Sequence, residues 1–339
     1  MSSAVKANPS VANPSVANPL VAGPSTAISA TASDSAANAD LVATTFKRLH
    51  PISYLSRFLD SSVREDGRSL SSFRDATLTL GSISTADGSC FVRIGKTSCI
   101  AAIKAEVAPP QLSRPNDGYL IPNVELPAVC SSKFKPGAPG EEAQVLTSRL
   151  LALLNSSNLL DREQLRIESA KAVWCLYLDI SFICFDGNAM DAAVLAAVAA
   201  LSDTKLSKAC YDADTEQVRS SSSPADRIRL QLDDMPFASS FAIFENTHLL
   251  SDPTAFEAAL ASSHLTIAIS INTTSISKSS QTKPVVSFLH HSGHLSTCSS
   301  DQSRSATDQE NLETCIDRAH ARAKQLATLL HNARSSSST

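Results

Sequence analysis

The sequence predicts an α+β domain in which helices pack on β-sheets. Three observations support this prediction: alternating β-branched runs typical of strands, apolar runs with helical spacing, and the succession of the two kinds in blocks along the chain. The chain has 339 residues, of which 43% are hydrophobic. That content suffices for one sizeable core or two small ones once the polar ends are set aside.

The N-terminal part of the chain is of low complexity. Residues 1–42 repeat Ala-Asn-Pro-Ser-Val with variations and offer no periodic apolar face, which predicts a disordered tail. Residues 335–339 are similarly featureless and are expected to be disordered as well.

The first structured block predicts an antiparallel meander. Alternating runs cover Thr77 to Ser84, Ser89 to Ile94 and Ser98 to Val107, separated by Ala-Asp-Gly and Gly-Lys-Thr turn signals. Pro109 to Pro139 is rich in proline and short on periodicity, which indicates an extended crossing segment.

A helix, a buried strand and a second helix follow. Glu141 and Glu142 supply first-turn carboxylates, and leucines then recur at helical spacing. Val173 to Phe185 is apolar on both faces, as expected for a central strand. Ala189 to Leu201 reads as an almost wholly apolar, alanine-rich helix that packs on that sheet.

The last third of the chain predicts three strands and a final helix. Residues 206–232 are polar and contain four consecutive serines from Ser220, which favours a surface insertion. The predicted strands are Phe241 to Leu250, Leu265 to Ile271 and Val285 to His290, and an apolar stripe predicts a helix between Asn311 and Ala333.

The net charge, the cysteine content and the lengths of the apolar stretches limit the classes of function that this chain can have. The formal net charge of −4 excludes a global basic field for nucleic acid, so any RNA contact must be local or shared with partner chains. The eight cysteines form no Cys-x-x-Cys pair and are expected to be reduced core residues of an intracellular protein. We find neither a secretory signal nor an apolar stretch long enough to cross a membrane.

Four segments in order resemble the RNase PH family, and within it the non-phosphorolytic ring subunits of the eukaryotic RNA exosome. They are Arg64-Glu65-Asp66-Gly67-Arg68, the run GSISTADGSCFVRIGKTSCIAAIKAEV from Gly81, the run GYLIPNVELPAVCSSKFKPGAPGEEAQ from Gly118, and DGNAMDAAVLAAVAAL from Asp186 followed by Ser251-Asp252-Pro253-Thr254. One short motif alone would be weak, but four in order are specific.

The resemblance implies a single βαβα-type RNase PH domain over residues 43–334. It also implies partners: the other RNase PH-like ring subunits, RNA-binding cap proteins, hydrolytic exoribonucleases and RNA itself. The implied locations are the nucleus, including the nucleolus, and the cytoplasm. No cofactor, metal or membrane is expected.

The same resemblance predicts that the phosphorolytic site is degenerate. Phosphorolysis must hold inorganic phosphate beside an RNA phosphodiester, which requires fixed cationic or N–H donors. Active relatives carry an arginine after the glycine that opens the first helix, where this chain has Glu141, and a Gly-Thr-Arg run where this chain has Asn188, Ala189 and Met190. By a looser alignment, His264 replaces a catalytic aspartate. We therefore expect no catalytic residue.

Two metal-site interpretations are disfavoured. Asp179, Asp186 and Asp191 suggest magnesium, but shaping of a turn and local capping explain them better. The second set has zinc-ligand spacing in a predicted surface hairpin, where exposed polarity is the better explanation. It consists of His290, His291, His294 and Cys298.

The candidate RNA contacts are Arg114, Lys133 and Lys135, in the segment that the family turns toward the central channel. They are equally well explained as ordinary solvated cations. With one Trp and 5% aromatic residues, base-specific readout by this chain alone is not expected.

The leading hypothesis is a non-catalytic exosome ring subunit that supports 3′-to-5′ RNA processing and degradation. Its substrates would include ribosomal RNA precursors and messenger RNA. Two alternatives stay open at this point: an active phosphate-dependent 3′-to-5′ exoribonuclease, and a stand-alone RNA-binding protein.

Overall fold

The structure is a computed structural model that describes residues 41–212, 214–215, 217–221, 226–245, 248–272, 285–293 and 304–336. The chain divides into two compact units, of which the first ends at Tyr54 and the second begins at Leu55. In the first unit, residues 41–49 form helix α1, and the ring of Phe46 lies 5.8 Å from that of His50 and 6.3 Å from that of Tyr54. Residues 1–40 of the predicted N-terminal tail lie outside the described part of the structure. Residues 41 and 42, which were included in the predicted tail, are the first two residues of α1.

The second unit contains a six-stranded sheet. Helix α2 (Pro51–Asp60) comes before it in the chain, and the strands are β1 (Ala76–Leu80), β2 (Gly88–Ile94), β3 (Thr97–Ala108), β4 (Tyr119–Glu125), β5 (Arg166–Glu168) and β6 (Ala172–Cys184). The order is β1-β2-β3-β6-β4, with β5 also paired to β6. The antiparallel β1-β2-β3 meander confirms the prediction, and Gly95 adopts φ +58° in the turn between β2 and β3.

Strand β4 was missed in the proline-rich crossing segment. It runs parallel to β6, from the Tyr119↔Cys175 pair to the Glu125↔Ser181 pair. Its inward positions, Leu120 and Val124, are buried, but Pro122 between them hid the strand pattern. Strand β6 is central, as predicted, although Tyr177 and Ile183 remain exposed on one face.

Two helices follow from the sequence much as expected. Helix α3 spans Glu141–Ser156 and is followed by a short 3₁₀ turn at Arg162–Leu165. Helix α4 spans Ala189–Asp203 and is buried from Ala189 to Ser202. It contacts β2 and β3 of the first sheet on one side and a strand of the second sheet on the other. Its many alanines allow both sheets to approach closely.

The segment over 206–232 is only partly a surface insertion. It contributes four short strands, β7 (Lys205–Ser207), β8 (Ala209–Asp212), β9 (Gln217–Ser220) and β10 (Arg227–Arg229). Strand β7 pairs with β10 and β8 pairs with β9. Leu206 and Leu230 are buried in the main core, so apolar anchors hold both ends of a segment that polarity alone assigned to the surface.

The second sheet is antiparallel, in the order β12-β11-β13-β14. Its strands are β11 (Asp234–Phe244), β12 (His248–Ser251), β13 (Ser263–Asn272) and β14 (Val285–Gly293). The single strand predicted over Phe241 to Leu250 was wrong, because the chain turns at Glu245, with φ +47°, and pairs back on itself. An apolar run interrupted by only a few polar residues conceals such a hairpin.

Two further helices complete the fold. Helix α5 (Ala255–Leu260) was not predicted, and α6 (Arg304–Ser336) is longer than expected at both ends. Ser335 and Ser336, expected to be disordered, are helical, and residues 337–339 lie outside the described part.

Two general predictions about the chain can also be compared with the structure. Within the described residues, no helix combines the length and the apolarity needed to span a bilayer. Five of the seven described cysteines are buried, but Cys184 and Cys210 are exposed, so the prediction of core cysteines was wrong for these two.

Candidate functional site

The turn from β6 into α4 lies in close contact with a neighbouring stretch of backbone. Gly187 has φ +76°, and a Cβ added to it would lie 2.5 Å from the backbone nitrogen of Ala255. Asn188, the N-cap residue of α4, also adopts the left-handed conformation, with φ 53°. The Asp-Gly-Asn run therefore lets this turn lie directly on the Pro253–Ala255 backbone, which a side chain at residue 187 would block.

A buried ion pair joins this turn to the loop after β12. Arg74 donates from Nε and Nη2 to the carboxylate of Asp252, at 2.9 and 2.7 Å, and from Nη1 to the carbonyl of Asp186 at 2.9 Å. Burial alone would raise the pKa of Asp252, but the Arg74 guanidinium lowers it to about 2. Asp252 is therefore a fixed anion at neutral pH.

A second carboxylate, that of Asp191, lies in the first turn of α4. It accepts hydrogen bonds from the backbone N–H and the hydroxyl of Ser240, at 2.9 and 2.8 Å. Asn188 Nδ2 donates to both carboxylates, at 2.7 Å to Asp191 and 2.6 Å to Asp252. Burial, followed by the nearby charge of Asp252, raises the pKa of Asp191 to about 6. The start of α4, which would favour a bound anion, thus already holds the chain's own carboxyl groups.

The Arg-x-Asp-Gly-Arg motif meets the Ser-Asp-Pro-Thr motif in space. Arg64, which is 1% exposed, pairs through Nε and Nη2 with the Glu257 carboxylate, the Nε to Oε1 distance being 2.8 Å. It also donates to the carbonyls of Ser251 and Asp252, at 2.6 and 2.9 Å. Glu257 and Thr254 form a capping box at the start of α5.

These contacts give both motifs a structural role that sequence reasoning missed. The motifs had served only as family markers. A signal was present, because Thr254-x-x-Glu257 is a capping-box pattern. Nothing in the sequence, however, paired that glutamate with an arginine 193 positions away.

The residues predicted to mark the degenerate phosphate site lie at the starts of two helices and on one strand. Glu141 is the exposed first residue of α3, whereas Ala189 and Met190 are the buried first residues of α4. His264 is half-buried on β13, opposite Ala242. Burial is the main cause that lowers the pKa of His264, and the positive charge of Arg149 lowers it further. A hydrogen bond with the Ala258 backbone acts in the opposite direction.

His264 lies near the α4 network. Thr266, two residues further on the same face of β13, hydrogen-bonds Ser240, the partner of Asp191, with the two hydroxyl oxygens 3.0 Å apart. Neither Ala189 nor Met190 can donate to a phosphate from its side chain. That these positions correspond to the phosphate clamp of active relatives stays a prediction.

The three candidate RNA contacts do not form one patch. Arg114 lies near the start of β6, since its neighbour Pro115 accepts from Ala170. Lys133 and Lys135 lie near the end of β6, where the Cys130 carbonyl accepts from Phe185. At about 3.3 Å per residue along this strand, the two places are roughly 40 Å apart.

Arg114 and Lys133 each form an ion pair at an exposed position. Arg114 lies 3.7 Å from the Asp117 carboxylate, and its side chain is 69% exposed. Lys133 pairs with Glu142, and its Nζ lies 5.8 Å from the centre of the Phe134 ring. Such exposed pairs contribute little to stability, so these side chains remain available to other anions.

Neither metal interpretation gains support from the described residues. Asp179 lies in mid-strand, where it accepts from Asn123 at 3.2 Å, well away from Asp186 and Asp191. His290 and His291 are consecutive on β14 and so point to opposite faces. His294 and Cys298 lie outside the described part. Within that part, no three metal-ligating side chains converge.

Comparison with known proteins identifies the family. The profile of the 3′ exoribonuclease family, domain 1, matches residues 72–207. The exosome complex component rrp43 of Schizosaccharomyces pombe is 42% identical over 224 residues, which cover 66% of this chain and 82% of that protein. The chain belongs to the RNase PH family. Its α+β architecture confirms the fold predicted for an RNase PH-family protein.

Other similar proteins and structures cover less of the sequence or are less identical to it. The exosome complex component Rrp42 of Methanothermobacter thermautotrophicus is 39% identical over 152 residues, 45% of this chain and 56% of that protein. A chain of an Archaeoglobus fulgidus exosome with RNA bound to the active site superposes with a TM-score of 0.65 at 26% identity, covering 80% of this chain and 96% of that one. Rice Rrp46, at 14% identity and a TM-score of 0.54, shares the fold.

Proposed function

We propose that this chain is a non-catalytic subunit of the RNA exosome ring. It supports 3′-to-5′ RNA processing and degradation, including maturation of ribosomal RNA precursors and decay of messenger RNA, through ring assembly and RNA channelling. The similarity to rrp43 across 82% of that exosome component supports this assignment. Its partners would be the other RNase PH-like ring subunits, RNA-binding cap proteins, hydrolytic exoribonucleases and RNA.

The observation that carries the non-catalytic role is the occupation of the α4 N-terminus by the chain's own carboxyl groups. A phosphate dianion placed there would meet Asp191 and the anionic Asp252, which already hold Asn188 and Arg74. Met190 supplies no guanidinium, and Glu141 adds a further negative charge at the start of α3. Since losing one preorganised donor typically costs about a hundredfold in rate, losing the whole clamp should abolish phosphorolysis.

The test is release of nucleoside diphosphate from 3′-labelled RNA in the presence of inorganic phosphate. The purified chain, alone and with its ring partners, should release none above the protein-free background, while a phosphorolytic RNase PH serves as the positive control. A triple variant, Glu141→Arg, Ala189→Thr and Met190→Arg, restores the lost groups. If the wild-type chain releases nucleoside diphosphate, and the triple variant releases more of it, the exoribonuclease alternative is established.

Ring membership has an independent test. The endogenous protein should migrate at the native mass of a large hetero-oligomer, whereas a stand-alone RNA-binding protein would migrate as a monomer and bind RNA tightly with a steep salt dependence. We also propose residence in the nucleus, including the nucleolus, and in the cytoplasm. Imaging of the tagged endogenous chain would test this.

A further inference from the structure

A cavity of about 540 Å³ opens beside the start of β6, at the end of that strand remote from the α4 network. Its apolar lining includes Trp174, Ile167, Leu206 and Leu230. Trp174 is half-buried and is the only tryptophan of the chain. Ile228, on the same cavity, is 62% exposed and adds a large apolar side chain to its rim.

Three cations surround this apolar lining. Arg166 and Lys208 are exposed and Arg229 is half-buried, and among the described residues none of the three has an ion-pair partner. The one acidic residue that lines the cavity, Asp161, uses its carboxylate to accept the N–H of Glu163 at 3.1 Å. The cavity therefore combines an apolar lining with a net positive rim, although the whole chain is negative.

A second cavity of about 460 Å³ continues the first and shares Arg229 with it. Arg334 lines this second cavity, and burial followed by the charge of Arg229 lowers its pKa. Asp233 also lines the second cavity and supplies a negative charge there, so the net positive charge of the groove lies at the first cavity. The first cavity is therefore the part of the groove that is electrostatically complementary to a negative ligand.

We propose that this groove binds an acidic peptide segment of a partner protein, with one large apolar side chain seated in the Trp174 cavity and flanking carboxylates on Arg166, Lys208 and Arg229. Tryptophan and arginine are the side chains that most often dominate protein interfaces. The indole N–H has no hydrogen-bond partner within the described residues, so it can donate to the peptide. This inference does not depend on membership in the exosome ring.

Single-stranded RNA fits the same groove less well. Nucleic-acid tracks stack successive bases on several aromatic rings. Here one half-buried indole lines the groove, and the neighbouring ring of Tyr211 is covered by Lys171, whose Nζ lies 4.6 Å from the ring centre. The apolar lining and the exposed Ile228 suit an apolar side chain better than a base with a ribose.

Because Trp174 is the only tryptophan, its emission reports directly on occupation of the cavity in the full chain. The probe is a synthetic octapeptide, Asp-Glu-Asp-Leu-Phe-Asp-Glu-Asp, which contains no tryptophan. Three controls accompany it: the same peptide with lysine in place of each acid, the same peptide with serine in place of Leu-Phe, and a short oligouridylate.

We expect the acidic apolar peptide to shift the Trp174 emission saturably, and the three controls to have little effect. The double variant Lys208→Glu/Arg229→Glu should weaken binding about tenfold or more, whereas Lys324→Glu, a single charge reversal outside the groove, should leave it unchanged. Ile228→Ser, at an exposed position, should weaken binding without endangering the fold, which circular dichroism verifies for every variant.

Three outcomes would overturn the proposal. They are an emission that does not change with the peptide, equal binding of the serine peptide, and a response to oligouridylate that exceeds the response to the peptide. The last of these would assign the groove to RNA.

Discussion

Replacing Arg74 with alanine should destabilise the fold strongly, because it leaves a buried carboxylate without its main partner. Asp252 is 1% exposed and would lose the charged bonds at 2.9 and 2.7 Å. It would keep the backbone N–H of residue 74 at 2.9 Å, Asn188 at 2.6 Å, and Arg68 at 3.5 Å. Removing one member of a buried pair costs about 3–5 kcal/mol, and the remaining donors place this case near about 3 kcal/mol.

Urea unfolding and thermal melting measure this loss. A cost of about 3 kcal/mol corresponds to a fall in Tm of roughly 6–12 °C for a domain of this size. Arg93→Ala is the matched control, since Arg93 is an exposed arginine on β2 whose Nε donates only to the Gly95 carbonyl. It should change stability by no more than about 0.5 kcal/mol.

The cost of Arg74→Ala should also depend on pH. Without the guanidinium, burial and the charge of Asp191 would raise the pKa of Asp252 above its ordinary value of 3.8. Wild-type Asp252 is ionised above about pH 2, whereas Asp252 of the variant would bind a proton at higher pH, so the variant should lose more stability relative to wild type at pH 7 than at pH 3. The reasoning is refuted if the two arginine variants melt alike, or if their difference is the same at both pH values.

Three further predictions concern the same network. Arg64→Lys should cost about 3 kcal/mol, seen as a lower urea midpoint with an unchanged slope, because lysine cannot reproduce the two-pronged contact with Glu257. Burial raises the pKa of Asp191 from 3.8 to about 6, so this group should remove about 3 kcal/mol of stability between pH 4 and 7, and Asp191→Asn should flatten that fall in urea titrations. Gly187→Ala should cost more than about 2 kcal/mol in thermal melts. The control is Gly137→Ala, which should cost considerably less, because Gly137 also has positive φ but a Cβ added there would meet no atom within 4 Å. Equal losses would show that the close approach at Gly187 is unimportant.

Sequence reasoning succeeded where a local pattern alone decides the outcome. The β1-β2-β3 meander, α3 and α4 were all predicted, because turn signals and apolar periodicity act over a few residues. It failed where a secondary-structure element depends on a strand that lies elsewhere in the sequence. Strand β4 contains a proline and exists because β6 offers a parallel edge, and the hairpin at Glu245 depends on where β11 meets β12.

The candidate site shows the same division. The residues at the start of α4 and the absence of an arginine there could be read directly, as Ala189 and Met190 are adjacent in the chain. The grouping of Arg114 with Lys133 and Lys135 could not be judged, because a thirteen-residue strand separates them in space. The Trp174 groove was also invisible, since its lining comes from β5, β6, β7 and β10.

The sequence by itself determined the family, the alternation of strands and helices, and the absence of an arginine at the start of α4, because each of these is carried by residue identity in short ordered motifs. Only the tertiary structure decided what the retained motifs do. It showed that Arg64 and Arg74 neutralise Glu257 and Asp252 inside the protein. Burial makes an unpaired charge costly, and which charges are buried together depends on contacts between residues nearly two hundred positions apart.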